Sequence, residues 1–169
     1  MRISFSSLPD DARLWVYAAQ DALSAQAETE LLSSLEHFVD DWRSHGRPVH
    51  AAVQVVDRQF LVVGAFIPGG EISGCGIDAS VHAVDHAAQQ LGLAWAAPLH
   101  IAYRDQAGGV QFTSRGGFRK LIQADAVDPE TPVFDLSLTT VGAFRTSGLE
   151  RPAHQSWHAR VFRLALPSS

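Results

Sequence analysis

Two apolar runs joined by a two-residue turn constrain the fold of this chain more than any other feature. The runs "VHAAVQVV" (49–56) and "QFLVVGAFI" (59–67) are rich in the β-branched residues that favour strands. Only Asp57 and Arg58 separate them. Because a turn this short joins neighbouring antiparallel strands, the sequence predicts an antiparallel β-hairpin over 49–67.

Apolar residues recur at helical spacing on either side of this hairpin. The first stretch, 25–44, ends before Gly46 and Pro48, which suit a left-handed closing residue and a helix stop. Its apolar positions are Leu31, Leu32, Leu35, Phe38, Val39 and Trp42. A second helix is predicted to close at Gly92. The apolar positions of that helix are Val81, Val84, Ala88 and Leu91.

The remaining chain adds shorter elements. "LWVYAA" (14–19) predicts a strand, and "GGFRKLIQA" (116–124) predicts a short helix. "LHIAYRD" and "VQFTS" predict a second hairpin that turns at Gly108 and Gly109. "VFDLSLTT" (133–140) alternates apolar and polar residues as a strand does, and the tail over 151–164 fits a helix or a strand.

Hairpins that alternate with helices predict the α+β class. We expect one globular domain over 1–169, with a mostly antiparallel sheet built from hairpins and two or three helices packed on one face. Residues 1–12 are predicted to form a loosely ordered leader, and residues 164–169 a loosely ordered tail.

Composition narrows the class of function. The 13 basic residues are scattered singly among 18 acidic ones, so no basic stripe for nucleic acid is present in the sequence. The single cysteine excludes an internal disulfide and agrees with a reducing compartment. No apolar run approaches the length of a membrane span. We therefore predict a cytoplasmic protein that binds neither nucleic acid nor a membrane.

The stretch "SGCGID" contains that cysteine, Cys75, between Gly74 and Gly76. A helix N-terminus stabilises a thiolate, and flanking glycines let a substrate approach the backbone closely, so Cys75 is a candidate nucleophile. The alternative is a buried small side chain in a tight turn, with Asp78 or Ser80 as the helix cap. Both interpretations stay open at this point.

A nucleophilic thiol needs a base from elsewhere in the chain. His158, within "SWHAR", is the first candidate, and His45, beside Gly46, is the second. In this hypothesis the backbone amides of Gly76 and Ile77 stabilise an oxyanion. Asp78 adds a negative charge near the thiol and works against its ionisation.

Two other patterns do not lead to a cofactor or a metal. "GCGIDA" matches the spacing of a dinucleotide fingerprint, but a hairpin strand and six intervening residues precede it. His82 and His86 lie one helical turn apart without the glutamate of a metalloprotease motif. We predict no cofactor and no metal.

A non-catalytic site is the competing interpretation. If "FDLSLTT" lines a cleft, its polar face offers Asp135, Ser137 and Thr139 to a ligand, and Thr140 adds a hydroxyl at the strand end. The predicted binding residues are Ser73, Gly74, Gly76, Asp78, Asp135, Thr139, Thr140 and Trp157.

Four segments resemble one family of short bacterial proteins that is common in Bacteroidetes and often labelled "ABC transporter ATPase". They are "HGRPVHAAVQVVDRQFLVV", "SGCGIDASVHAVDHAAQQLGL", "VFDLSLTTVG" and "SWHARVF", and the resemblance runs from Trp15 to Phe162. The family has no established activity, and no phosphate-binding loop occurs in this sequence. Family members more often carry serine at Gly76 and asparagine at Leu136.

These observations favour a module that binds a small ligand or a protein and has no ATPase activity. The alternative is a cysteine-dependent enzyme that transfers or hydrolyses acyl or thiol groups through Cys75. A third interpretation treats the same residues as caps and turns of a stable fold that works through a protein partner or through self-association as a homo-oligomer.

Overall fold

The computed structural model describes residues 1–167, which form two compact units. Unit 1 comprises Met1–Trp95 and Leu138–Arg145; unit 2 comprises Ala96–Ser137 and the residues from Thr146 onward. Helices and antiparallel sheets make up the described chain, which confirms the predicted α+β class. The assignment of one domain over 1–169 stays a prediction, and the two units are described separately.

The described residues form the following elements in chain order. The strands are β1 (Arg13–Ala18), β2 (Arg43–Ser44), β3 (Arg47–Pro48), β4 (His50–Val56), β5 (Phe60–Phe66), β6 (Ile101–Arg104), β7 (Val110–Thr113), β8 (Pro132–Phe134) and β9 (Glu150–Pro152). The helices are α1 (Ala25–Asp41), α2 (Gly74–Gln90), α3 (Arg115–Gln123), α4 (Val141–Ser147) and α5 (Trp157–Phe162). Short 3₁₀ turns cover Phe5–Ser7 and Ala153–Gln155.

The predicted hairpin forms the main sheet of unit 1. β4 and β5 pair antiparallel, and β1 pairs antiparallel with the other edge of β5, so the strand order is β1-β5-β4. The turn between β4 and β5 covers 57–59, one residue more than predicted, because Val56 pairs with Phe60. Asp57 and Arg58 both have φ of 53°, the left-handed conformation that is typical of tight hairpin turns.

Strand β5 is buried on both faces, which explains why its sequence is continuously apolar. Leu61, Val63 and Ala65 belong to the core that includes residues of α1 and α2. Val62 and Phe66 face the opposite side, where a second apolar cluster includes Val141 of α4. The two long helices thus share one face of the sheet.

Helix α1 begins as its sequence predicts and ends three residues earlier. The Ser24 hydroxyl caps its start by accepting a hydrogen bond from the Ala27 N–H, at 3.1 Å. The helix stops at Asp41 because β2 pairs with β3 around His45 and Gly46. Both turn residues have positive φ, 49° and 77°, so this is a second tight hairpin.

The first twelve residues are packed in unit 1, which corrects the prediction of a loose leader. Leu8 and Ala12 are buried against the second face of the sheet. The Met1 ammonium group donates hydrogen bonds to the carbonyls of Val39 and Val49, at 2.6 and 2.8 Å. These apolar side chains shield the second face of β5 from water, and this burial stabilises unit 1.

Unit 2 contains a four-stranded antiparallel sheet in the order β7-β6-β8-β9. The predicted second hairpin and short helix are present as β6, β7 and α3. The apolar core of this unit includes Phe118 of α3, Val133 of β8 and Phe162 of α5. The tail adopts a short strand and then a helix, and Leu164 is buried. Residues 168 and 169 of the predicted loose tail lie outside the described residues.

The prediction of a strand over 133–140 is wrong beyond Phe134. Asp135 ends the strand because its carboxylate accepts hydrogen bonds from the N–H and the hydroxyl of Ser137, at 3.0 and 2.5 Å. This local bonding replaces the ladder that a strand would need. The chain then enters α4, which the alternating pattern did not predict.

Gly64 lies where β5 passes beneath the N-terminal segment. A Cβ at this position would lie 2.5 Å from Leu8 Cδ1 and 3.2 Å from Val141 Cγ2. We expect Gly64→Ala to lower the free energy of unfolding by about 1–3 kcal/mol through overpacking, measured by urea denaturation. Gly74→Ala is the matched control, since no atom lies within 4 Å of its added Cβ. Equal stability of the two variants would contradict this packing.

Candidate functional sites

The N-terminus of α2 is held by a network of hydroxyl groups. The Ser73 hydroxyl caps the helix by accepting from the Gly76 N–H at 3.1 Å. The Ser44 hydroxyl donates to Ser73 Oγ at 2.8 Å and accepts from the Ser73 N–H at 2.9 Å. The Trp42 indole N–H donates to the Gly76 carbonyl at 2.9 Å. The start of α2 is therefore fixed to the β2–β3 hairpin.

This network corrects the predicted helix cap. Ser73 is the cap, while Asp78 is exposed within α2 and Ser80 is buried, donating back to the Ile77 carbonyl at 2.7 Å. The prediction placed the cap too late because it relied on the apolar spacing, which begins at Val81. The helix itself begins at Gly74, and the cap is the residue before it.

The glycines beside Cys75 have different surroundings. A Cβ on Gly76 would lie 3.0 Å from Ile72 Cγ2 and 3.1 Å from Ser44 Oγ, so close packing accounts for this glycine. A Cβ on Gly74 would meet no atom within 4 Å. The Cys75 side chain is exposed, in contrast to the buried thiol of the structural alternative. The helix start thus presents Cys75 to solvent.

His45 lies in the turn between β2 and β3 and is exposed. Its chain neighbour Ser44 bonds directly to Ser73, so the turn that carries His45 adjoins the turn that carries Cys75. Of the two candidate bases, His45 is the one that belongs to unit 1 together with Cys75.

Thr139 and Thr140 lie beside the first residues of β1. The Thr139 carbonyl accepts from the Leu14 N–H at 2.9 Å, and Thr140 forms an antiparallel bridge with Arg13. The Thr140 hydroxyl accepts from the Ala143 N–H at 3.2 Å and so bonds to the first turn of α4. The two predicted binding residues are therefore placed next to Arg13.

A surface cavity of about 660 Å³ lies in unit 1 next to these segments. Asp11, Arg13 and Glu71 supply its charged groups, and none of them has an ion-pair partner within residues 1–167. The remaining lining residues are Pro9, Ala65, Phe66, Ile67, Pro68, Gly69, Gly70 and Ile72. Ile72 directly precedes the cap Ser73, so the cavity adjoins the predicted "SGCGID" turn.

Neighbouring side chains hold the rim of this cavity in place. The Arg13 guanidinium lies over the Trp15 ring, 5.2 Å from its centre. The Arg47 guanidinium donates to the Pro68 carbonyl at 2.5 Å, and the Gly70 N–H donates to the Ile67 carbonyl at 3.1 Å. The cavity thus combines a cation held against an aromatic ring with a braced turn.

A second cluster of polar groups lies in unit 2 around Asp135. This carboxylate is buried, and besides the Ser137 bonds it accepts from Arg151 at 3.3 Å. Within the same unit, Arg104 forms an ion pair with Glu150 at 2.6 Å. Asp135 therefore serves to end β8 and to pair with Arg151.

His158 is fully buried in unit 2, with no exposed surface. Its Nδ1 shares a hydrogen bond with Ser156 Oγ at 2.9 Å, and its ring stacks on Trp157 with ring centres 3.8 Å apart. Burial lowers the pKa of His158 to about 4; the Asp135 carboxylate opposes this shift, and the Arg151 guanidinium adds to it. The imidazole is neutral at pH 7.

The structure thus distributes the predicted residues over two places. Ser73, Gly74, Gly76 and Asp78 with Cys75 and His45, and also Thr139 and Thr140, belong to unit 1; Asp135, Trp157 and His158 belong to unit 2. Sequence reasoning missed Asp11, Arg13, Glu71 and Arg151. Single charged residues in strands and turns form no sequence motif, so only the fold identifies these four.

The comparisons with known proteins give no match. No protein-family model and no curated protein matches the sequence, and no solved structure matches the fold. Within the described residues, no helix has the length and hydropathy to cross a membrane, and no three or more His, Cys, Asp or Glu side chains are grouped to hold a metal ion.

The buried neutral imidazole predicts a pH-dependent stability. The pKa of His158 is about 4 in the folded chain against 6.5 for an ordinary histidine, so the unfolded chain binds the proton first. The free energy of unfolding should therefore be highest above pH 6.5 and should fall by about 3 kcal/mol as the pH is lowered from 6.5 towards 4. Urea unfolding of the wild type and His158→Phe, compared across this range, measures the difference.

The exposed His86 provides the control for this measurement. His86→Gln should retain the pH slope of the wild type, whereas His158→Phe should flatten it, and His158→Gln supplies a second variant if the first does not fold. The same slope in all variants would show that the buried histidine does not control acid stability.

Proposed function

We propose that this chain is a cytoplasmic small-ligand-binding module without ATPase activity, and that its ligand occupies the unit 1 cavity. The observation that carries this proposal is the cavity itself, in which a cation and two carboxylates have no ion-pair partner among the described residues. Its volume of about 660 Å³ falls in the range of small-molecule sites.

The charges of the cavity define the ligand class. The Arg13 guanidinium suits a carboxylate, which it binds through two parallel hydrogen bonds. Asp11 and Glu71 suit an ammonium or guanidinium group. Because two carboxylates and one guanidinium line the cavity, we propose a zwitterion with an additional positive charge, such as a basic amino acid.

Membership in the resembled family of short bacterial proteins is part of this proposal. The single cysteine supports a reducing cytoplasm, and the excess of acidic over basic residues, 18 against 13, supports a partner other than nucleic acid. In this proposal, ligand binding in the cavity is the activity that the resembled family shares.

Calorimetric titration with L-arginine, L-lysine, L-leucine and L-glutamate tests the proposal. We expect measurable binding of the two basic amino acids and weaker binding of leucine and glutamate. Arg13→Gln should weaken the binding about tenfold or more, because a charged hydrogen bond contributes about 1.5–3 kcal/mol. Glu71→Gln should weaken the binding of the basic amino acids selectively.

Asp85→Asn is the matched control, since Asp85 is an exposed carboxylate of α2 that does not line the cavity. It should leave the affinity unchanged. Absence of binding by all four amino acids, or equal loss in the control and in Arg13→Gln, would refute the proposed ligand class.

A cysteine-dependent enzyme is the second candidate function. The exposure of Cys75 and the link between the turns of His45 and Cys75 through Ser44 and Ser73 favour it. In this candidate, His45 takes the proton of the Cys75 thiol, and the thiolate attacks the carbonyl carbon of an acyl substrate or one sulfur of a disulfide. The bond from that atom to the leaving group breaks, and the leaving group takes the proton from His45. His158 is an unfavourable base because its side chain is fully buried and engaged with Ser156.

The rate of alkylation by iodoacetamide at pH 7 distinguishes these functions. An activated thiol should react about tenfold faster in the native protein than in the urea-unfolded chain, and His45→Gln should remove that excess. The binding proposal predicts a native rate no higher than the unfolded rate. His37→Gln is the control, because His37 is an exposed histidine on α1.

A further inference from the structure

Three buried nitrogen atoms in unit 2 have no hydrogen-bond partner. They are Arg151 Nε, Trp157 Nε1 and His158 Nε2, and the part of the chain that the structure describes contains one other such side-chain atom, Trp95 Nε1. Leaving a buried donor unpaired costs about 1–3 kcal/mol, so three in one region are a large burden for a stability of about 5–15 kcal/mol. Such groups call for a partner that the protein does not supply.

The side chains that carry these three nitrogens adjoin the apolar core of unit 2. The rings of Trp157 and His158 stack with centres 3.8 Å apart, and His158 also lies near Phe118 and Phe162, at 6.1 and 6.4 Å between ring centres. Arg151 lies directly opposite Val133 in the β8–β9 pairing, so its side chain shares a sheet face with that residue of the unit 2 core. Side chains of Arg151 and Trp157 are partly exposed, so the cluster reaches the surface of unit 2.

The three unpaired nitrogens act as hydrogen-bond donors and therefore require acceptors. Arg151 Nε and Trp157 Nε1 each carry a hydrogen and can only donate. When the Ser156 hydroxyl donates to Nδ1 of His158, Nε2 carries the ring hydrogen and becomes a third donor. A water molecule accepts about two hydrogen bonds and must place two of its own, whereas the oxygens of an oxyanion accept several.

The surrounding charge also favours an anion. Helices α3 and α5 contain no acidic residue. The guanidiniums of Arg115 and Arg119 lie over the rings of Trp157 and Phe162, 6.0 and 5.5 Å from the ring centres, and neither has an ion-pair partner among the described residues. The acidic residues beside Arg151 are Asp135, which Ser137 and Arg151 already bind, and Glu150, which pairs with Arg104.

We propose that unit 2 binds a small oxyanion, the carboxylate or phosphate group of a ligand, through Arg151 Nε, Trp157 Nε1 and His158 Nε2. Arg115, over the Trp157 ring, adds positive charge beside these donors. This site is separate from the cavity of unit 1 and does not depend on the ligand proposed there.

NMR spectra of the tryptophan indole N–H groups test this site. The protein is titrated at pH 7 with inorganic phosphate and, separately, with acetate, while sodium chloride keeps the ionic strength constant. The Trp157 signal, identified by its loss in Trp157→Phe, should shift saturably, and the signals of Trp15 and Trp42 should not move. The ratio of the two dissociation constants identifies phosphate or carboxylate as the preferred group.

Trp157→Phe keeps an aromatic ring against His158 and removes the indole donor, so it should weaken oxyanion binding about tenfold, measured from the His158 ring signals. Arg160→Gln is the control, because it removes an exposed cation of α5 that has no part in the site. Arg13→Gln should also leave this binding unchanged, which separates the two proposals. A shift that chloride alone reproduces, or unchanged affinity in Trp157→Phe, would overturn the proposal and leave bound water as the partner of these donors.

Discussion

Burial of β5 on both faces is the constraint on which unit 1 depends. A strand whose two faces are apolar must be covered twice, and each cover comes from a different part of the sequence. Helices α1 and α2 supply the first cover, while the N-terminal segment and residues 138–144 supply the second. The second cover brings Asp11 and Arg13 to the cavity. The proposed ligand site is therefore a consequence of how the central strand is buried.

The local patterns that predicted elements correctly are those that fit one kind of secondary structure. The short polar break at Asp57 and Arg58 between two apolar runs favours a tight hairpin, and the apolar spacing of α1 favours a helix. Prediction failed at Asp135, where polar and apolar residues alternate as in a strand. There the carboxylate bonds to Ser137 instead, and no spacing rule distinguishes a side chain that stays in a sheet from one that ends it.

The sites were predictable to a smaller extent because they depend on contacts between distant segments. The sequence pointed to the turn at Ser73 and to the pair Thr139 and Thr140, and these segments adjoin the cavity through Ile72 and Arg13. It did not identify Arg13, whose significance comes from the strand pairing that places it there. Likewise, His158 was predicted as the base for Cys75, and only its packing with Phe118 and Phe162 shows that it is buried.

Whether its polar groups have hydrogen-bond partners distinguishes a structural site from a candidate ligand site. At the start of α2, every hydroxyl and the Trp42 indole N–H has a partner, and close packing explains Gly76. The "SGCGID" pattern is thus accounted for by capping, and the exposure of Cys75 follows from its place in the first turn. In the cluster of Arg151 and His158, the fold buries donors and leaves them unsatisfied. Buried donors without a partner lower the stability of the fold, so they indicate a ligand better than the exposed Cys75 does.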